Sequence, residues 1–280
     1  MQKLSSSTGL DSIQTDVPVR PMQPIKGRGA ASQITHRFAQ ELRQGFDDGW
    51  DKSEQDEGGE VGEEAKIWGT HLEWERAKSA LSRHESPDLP FHLGLNPYRG
   101  CEHGCIYCYA RPTHGYLGYS PGLDFETRLI AKQNLPEVLR AELSRSSHVA
   151  APIMLGSVTD CYQPVEREVG LTRRVIEVLA QARHPFSIVT KGSGIERDLD
   201  LLVPLAQQHL VAVYVTLTTL QPELAGQLEP RAAAPHRRLR MIRTLSEAGI
   251  PVGVSLAPQI PFLNDDVEQV LAAASEAGAR

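Results

Sequence analysis

The sequence predicts an α/β fold assembled from parallel βα units, closed as a barrel or open as a doubly wound sheet. Three observations carry that reading. Short apolar runs have the length of buried strands, amphipathic helical patterns lie between them, and the two alternate from about residue 91 onward. A chain of 280 residues with 40% hydrophobic content can bury a core of the size such a fold needs.

Taken in order, residues 1–66 are rich in Ser, Gln, Gly and acids and show no sustained period, which predicts a mostly disordered N-terminal extension. Its plausible anchors onto the body are Arg37 with Phe38, and Phe46 with Trp50. Residues 67–90 are expected to hold a leading helix over 67–81, carried by Trp68, Leu72, Ala77, Ala80 and Leu81 and ending before Ser86 and Pro87.

The body, 91–280, follows. Strands are expected at 91–96, 152–156, 186–190, 211–217 and 252–257. Asn134 caps the first intervening helix, with Pro136 in its first turn and Leu135, Val138, Leu139 and Leu143 inward. Leu171, Val175, Val178, Leu179 and Ala182 form the next stripe, 195–205 a shorter third, and Leu239, Ile242, Leu245 and Ala248 a fourth. Asn264 caps a fifth carrying Val267, Val270, Leu271 and Ala274. The sequence stops at Ala279 and Arg280 where a further strand is due, so the expectation is a C-terminally incomplete fragment.

Charge excludes little. The formal balance of 29 Lys+Arg against 35 Asp+Glu is -6, but nine carboxylates and one lysine fall within 47–64, leaving the remainder close to neutral. A nucleic-acid partner is neither required nor ruled out. No run approaches the roughly 18–20 apolar residues of a membrane span. The start, with Ser5, Ser6, Ser7, Asp11 and Asp16, lacks the basic and apolar regions of a secretory signal. The expectation is a soluble cytoplasmic protein with no membrane contact. Phosphate-loop, nucleophile-elbow and zinc-protease helix motifs are absent from the sequence.

Three of the four cysteines, Cys101, Cys105 and Cys108, fall within eight residues directly after the first body strand, in the run 96–109. A disulfide scaffold would scatter them, so metal ligation is the better reading. Thiolates four and three residues apart can converge on a cuboidal iron-sulfur cluster, with Gly100 and Gly104 permitting the tight backbone. Three ligands leave one iron open to an external chelator. The alternative is zinc with His103 as fourth ligand, which would make the chain a structural or nucleic-acid-binding module, a catalytically inactive fragment; His103 lies between two of the cysteines, where reaching the same ion strains the loop.

Cys-x3-Cys-x2-Cys with an aromatic, Tyr107, before the third cysteine resembles the radical S-adenosylmethionine (SAM) superfamily. Together with 156–160, Val189, Thr190, Lys191, Ala257 and Pro258, the run 96–109 is similar to its branch related to spore photoproduct lyase, the DNA-repair-photolyase-like proteins. The resemblance implies a partial (β/α)6 barrel, here lacking its last strand, and a [4Fe-4S] cluster on Cys101, Cys105 and Cys108. It also implies SAM cleaved to a 5'-deoxyadenosyl radical, an external flavodoxin- or ferredoxin-type electron donor, and a nucleic-acid substrate. It places Tyr107 near the adenine, Thr159 and Thr216 near the methionyl group, and Lys191 where a cation would meet the SAM carboxylate. One departure stands out: Ser157 occupies the position of the lyase cysteine that returns a hydrogen atom, and Cys161 reads as a lone buried cysteine. Arg99, Arg111, His114, Tyr116 and Tyr119 read as a substrate rim. Arg231, Arg237, Arg238, Arg240 and Arg243 read mostly as a solvated helix face.

Overall fold

The computed structural model describes residues 25–34, 36–38 and 69–280. The chain forms β1 (His71–Glu75), β2 (Leu81–Arg83), β3 (Leu93–Leu95) and the short β4 (Tyr98–Arg99). A 3-10 stretch, Arg111–Leu117, and helix α1 (Asp124–Thr127) lead into β5 (Arg128–Lys132). Strand and helix then alternate through α2 (Leu135–Leu143), β6 (Ile153–Leu155), α3 (Glu166–Val169), α4 (Leu171–Gln181) and β7 (Phe186–Thr190). A 3-10 stretch, Ser193–Asp198, precedes α5 (Leu199–Gln207), β8 (Val211–Thr216), α6 (Pro222–Leu228), α7 (Pro235–Glu247), β9 (Val252–Ser255) and α8 (Val267–Glu276).

The main sheet has the order β2-β3-β6-β7-β8-β9, in which β3 to β9 are parallel neighbours and β2 pairs antiparallel with β3. All five strands read from apolar runs are present, in sequence order. Their buried positions, Leu93, Leu95, Ile153, Leu155, Ile188, Val213 and Val215, join Leu171, Val175, Ile176 and Leu179 of α4 in one core. Full burial of each such side chain stabilises by about 1.5–3 kcal/mol relative to exposure. Because β3, β6, β7, β8 and β9 all run the same way, the loops that follow them converge at one end of the sheet, where α/β folds bind their ligands.

Three expectations need correction. The leading helix is not there: from Gly69 to Pro90 no helix forms, and β1 and β2 take its place. β1 pairs in parallel with β5, His71 against Arg128 to Glu75 against Lys132, and β5 pairs with β4 to make a second, three-stranded sheet. That long-range pairing satisfies the backbone of a segment whose Ala and Leu spacing alone mimics a helix. Asn264 does not cap α8, whose N-cap is Asp266. Instead its side chain donates to Thr218 O (2.8 Å) and Pro258 O (3.0 Å) and accepts from Ile260 N (2.7 Å), tying two loops together. Nor does the third helix start at 195: 3-10 turns run to Asp198 and α5 begins at Leu199.

In the extension, 25–34 packs on the body and Phe38 lies 5.3 Å from the Tyr116 ring. The remaining expectations for 1–66, including Phe46 and Trp50, and those for Ile67 and Trp68, lie outside the described residues. Among the described residues no helix is long and apolar enough to cross a membrane.

Candidate active site

The cysteine loop begins where β4 ends. Gly100 and Gly104, at φ of +77° and +68°, turn the backbone around the thiols in a region that side chains rarely adopt. The rest of the chain fixes the loop through its backbone. Cys101 N donates to Phe125 O (2.9 Å), Ile106 N to Leu228 O (3.0 Å), and His103 O accepts from Arg231 N (3.2 Å). Glu102 N donates to Gln163 Oε1 (2.9 Å). Cys101 and Cys105 are buried and Cys108 is half-buried. Burial, then the neighbouring Asp160, Cys105 and Cys108, pushes the Cys101 thiol well up. Burial likewise lifts Cys105 to about 11, against the pull of Lys191. Buried thiols of this kind stay protonated unless a cationic centre is bound to them.

Asp160, at the end of the loop after β6, fastens three elements. It accepts from Thr190 Oγ1 (2.7 Å) and Tyr162 N (2.8 Å) on one oxygen, and from Lys191 N (2.6 Å) on the other, which also faces His103 Nδ1 at 3.2 Å. Burial opposes its charge, but His103 and these hydrogen bonds prevail and hold the carboxyl at about 2.

A second buried network lies on the other side of Cys105. The Tyr107 hydroxyl donates to Glu229, whose other oxygen pairs with Arg238; both of those charged side chains are almost wholly enclosed. Arg238 also donates to Thr216 O (2.9 Å) and Ala233 O (2.6 Å). Lys191 Nζ lies 5.8 Å from the Tyr107 ring centroid. Burial alone would lower the Lys191 ammonium, but Cys105, Glu229 and Asp160 outweigh it and raise it. Burial, then Cys105 and Glu229, raises the Tyr107 phenol, so it stays a neutral donor.

Residues 95–274 match the radical SAM superfamily. The chain belongs to that superfamily.

Its relatives include an uncharacterized protein of Mycobacterium tuberculosis, 42% identical over 206 residues, covering 72% of this chain and 61% of the relative. Another, from Methanocaldococcus jannaschii, is 30% identical over 196 residues, 70% of either chain. The present chain thus spans about six tenths of the length of the mycobacterial relatives it matches. Among solved structures, a spore photoproduct lyase variant with AdoMet and dinucleoside spore photoproduct bound has a TM-score of 0.55 at 14% identity, covering 74% of this chain and 57% of that one. A second lyase variant gives 0.55 at 16%, with the same coverage. At that identity the likeness is one of fold, and the shared α/β architecture with its row of parallel strands is the radical SAM fold read from the cysteine motif.

Of the residues singled out by the sequence, Cys101 and Cys105 are buried and Cys108 half-buried on one loop, and Lys191 Nζ lies over the Tyr107 ring. Thr159 is buried with its hydroxyl donating to Tyr98 O (2.9 Å), a use that braces β4. Thr216 is buried at the tip of β8, and its carbonyl serves Arg238. Nearby, Thr218 Oγ1 is buried without a hydrogen-bond partner among the described residues. His103, the zinc alternative's fourth ligand, has Nδ1 against Asp160, and among the described residues no three His, Cys, Asp or Glu side chains gather closely enough to hold a single metal ion.

The substrate rim needs revision. Arg99 pairs with Glu75 (2.8 Å), and Arg111 binds Glu126 (2.5 Å) and Cys105 O (3.0 Å). His114 is fully buried and bonded through Nε2 to Arg128 O (2.8 Å), while Tyr119 donates to Glu73. Tyr116 is 72% exposed, with Phe38 against its ring. Arg238 is the clearest miss: the α7 face that packs inward is Arg238, Met241, Ile242 and Leu245, a regular i, i+3, i+4, i+7 set with a guanidinium at its head. The residues that reading the sequence did not single out are Glu229, Asn96, Gln163 and Glu126. Asn96 alone left a signal, as the first residue of the loop: its side chain accepts from Val158 N (2.8 Å) and donates to Ser157 Oγ (3.3 Å).

Proposed function

We propose that this radical SAM protein is an enzyme that binds a [4Fe-4S] cluster through Cys101, Cys105 and Cys108 and cleaves SAM reductively. The observation that carries the reading is three thiols, two of them buried, on a loop pegged at the ligand-binding end of a parallel sheet, with the Lys191 ammonium over the ring of Tyr107 beside the third thiol. When bound, the cluster and SAM supply methionine and a 5'-deoxyadenosyl radical that abstracts hydrogen from a substrate.

The chain's own residues then have distinct roles. Lys191 offers a half-buried cation for the SAM carboxylate. Tyr107, its hydroxyl fixed by Glu229, presents a rigid ring beside the third cysteine, in line with contact to the adenine. Thr216 and the unpartnered hydroxyl of Thr218 provide polar groups at the tip of β8 for the methionyl end, with Thr159 bracing the loop opposite. The electron enters from an external flavodoxin- or ferredoxin-type donor.

For the substrate we assign nucleic acid, in line with the dinucleoside spore photoproduct bound in the lyase structure of similar fold. The lyase-type return of a hydrogen atom is not part of the assignment. Ser157 carries no thiol, and Cys161 is wholly buried in the main core, its thiol pushed well up by that burial.

The test is anaerobic reconstitution with iron and sulfide, reduction by dithionite and addition of SAM. The expected product is 5'-deoxyadenosine, and replacement of all three cysteines by alanine should remove both bound iron and product. Zinc without sulfide in the purified protein, or a fully loaded cluster that leaves SAM intact, would defeat the reading.

A further inference from the structure

The residues matching the superfamily begin at 95, yet a segment far upstream of them lies directly on the cysteine loop. Gly29 approaches Gly104 backbone to backbone: a Cβ on Gly29 would stand 1.8 Å from Gly104 O and 3.0 Å from Ile106 Cγ2. Only glycine fits there. A Cβ on Gly104 would in turn meet Glu126 Oε2 at 2.8 Å and Gly29 N at 3.2 Å.

Glu126 is the joint. Its side chain is fully buried, and one oxygen accepts from Gly29 N (2.9 Å) while the other accepts from Arg111 (2.5 Å), which donates through Nε to Cys105 O (3.0 Å). The same short stretch is tied at two further places. Arg28 donates to Glu126 O (2.8 Å) and to Thr70 Oγ1 (3.3 Å), and Thr70 donates to Glu102 Oε1 (2.5 Å), the residue after the first cysteine. Farther along, Leu123 N donates to Ser32 O (3.0 Å), and Ile34 N to Ser120 Oγ (2.6 Å).

None of 25–34 belongs to the main apolar core. Its hydrogen bonds instead run to Thr70 and to the 120–126 stretch that supports the loop, while Gly29 packs against Gly104 of the loop itself. A segment placed in this way contributes little to global stability and much to the local order of the residues beneath it.

We propose that residues 25–34 are a strap that positions the cysteine loop for cluster assembly, with Gly29 and Glu126 as its positioning residues. The inference rests on the proposed role of the three thiols as cluster ligands.

The test uses the full chain, reduced and free of metal, and measures iodoacetamide alkylation cysteine by cysteine. Gly29→Val should speed modification of Cys105 by about tenfold, the effect of losing one or two local contacts, while Cys161 in the main core and the urea midpoint stay at wild-type values. After reconstitution, the same variant should release iron to a chelator several times faster than wild type. If Gly29→Val does not fold, Arg28→Ala carries the test, since it removes two anchors without adding volume. An unchanged Cys105 rate overturns the proposal, as does a rise at Cys161 in parallel, which would mark general loosening. A wild-type chain that takes up no iron and sulfide would defeat the cluster reading alone, because the alkylation arm still judges the strap.

Discussion

Arg238→Met is expected to lower the free energy of unfolding by about 3–5 kcal/mol, because it leaves the Glu229 carboxylate buried without its partner. The side chains of Arg238 and Glu229 are 1% and 0% exposed, so solvent cannot take over the lost interaction. Burial already works to raise the Glu229 carboxyl, and Arg238 first, then Lys191, holds it down. Without Arg238 the carboxyl would be driven toward its neutral form, and Thr216 O and Ala233 O would lose their donor. Combining Arg238→Met with Glu229→Gln should recover a good part of the loss, since the second change removes the stranded charge. Urea unfolding of both singles and the double closes the cycle. A single-variant cost under about 1 kcal/mol, or simple additivity, would contradict the picture of a buried, coupled pair.

Asp160→Asn should cost about 2 kcal/mol at neutral pH, the free energy that corresponds to a carboxyl held at about 2 in the folded chain against an ordinary value of 3.8. The direction with pH follows from the lowered value. The folded state binds this proton less readily than the unfolded one, so the contribution is fully present above pH 4 and fades as pH falls from about 4 towards 2. Wild-type and variant stabilities should therefore converge in acid, as followed by urea melts at several pH values on metal-free chain. A difference that persists unchanged at pH 2 would mean that the carboxylate charge is not what holds the loops after β6 and β7 to His103.

Much of this was legible in the residues, for a definable reason. β7 falls on 186–190 as its apolar run indicates, and the other four parallel strands lie within the runs read for them, since strands buried on both faces write themselves as continuous aliphatic stretches. The cysteines are legible because their chemistry depends on local spacing. What stayed hidden depends on partners distant in sequence. Helix-like spacing of Leu72, Ala77, Ala80 and Leu81 gave no hint that Leu72 would lie opposite Leu129 in a parallel pair. Arg238 looked like one of a row of solvated arginines because its countercharge, Glu229, sits in a separate turn, and Tyr107 completes that group from 122 residues away. Glu126, likewise, could not be told from any other acid until Gly29 N and Arg111 were seen to converge on it.

The way the cysteine loop is pegged also bears on protein engineering. Residues 96–109 carry every thiol of the motif, and a designer might move that peptide alone onto a foreign scaffold. The graft would leave behind Phe125 O, Leu228 O, the Gln163 amide, the Asp160 carboxylate and the Glu126 carboxylate, contributed from three separate stretches of chain. A transplant that keeps the chelating peptide in shape must therefore import a whole ring of acceptors with it, and minimal mimics built on the motif by itself should hold iron poorly.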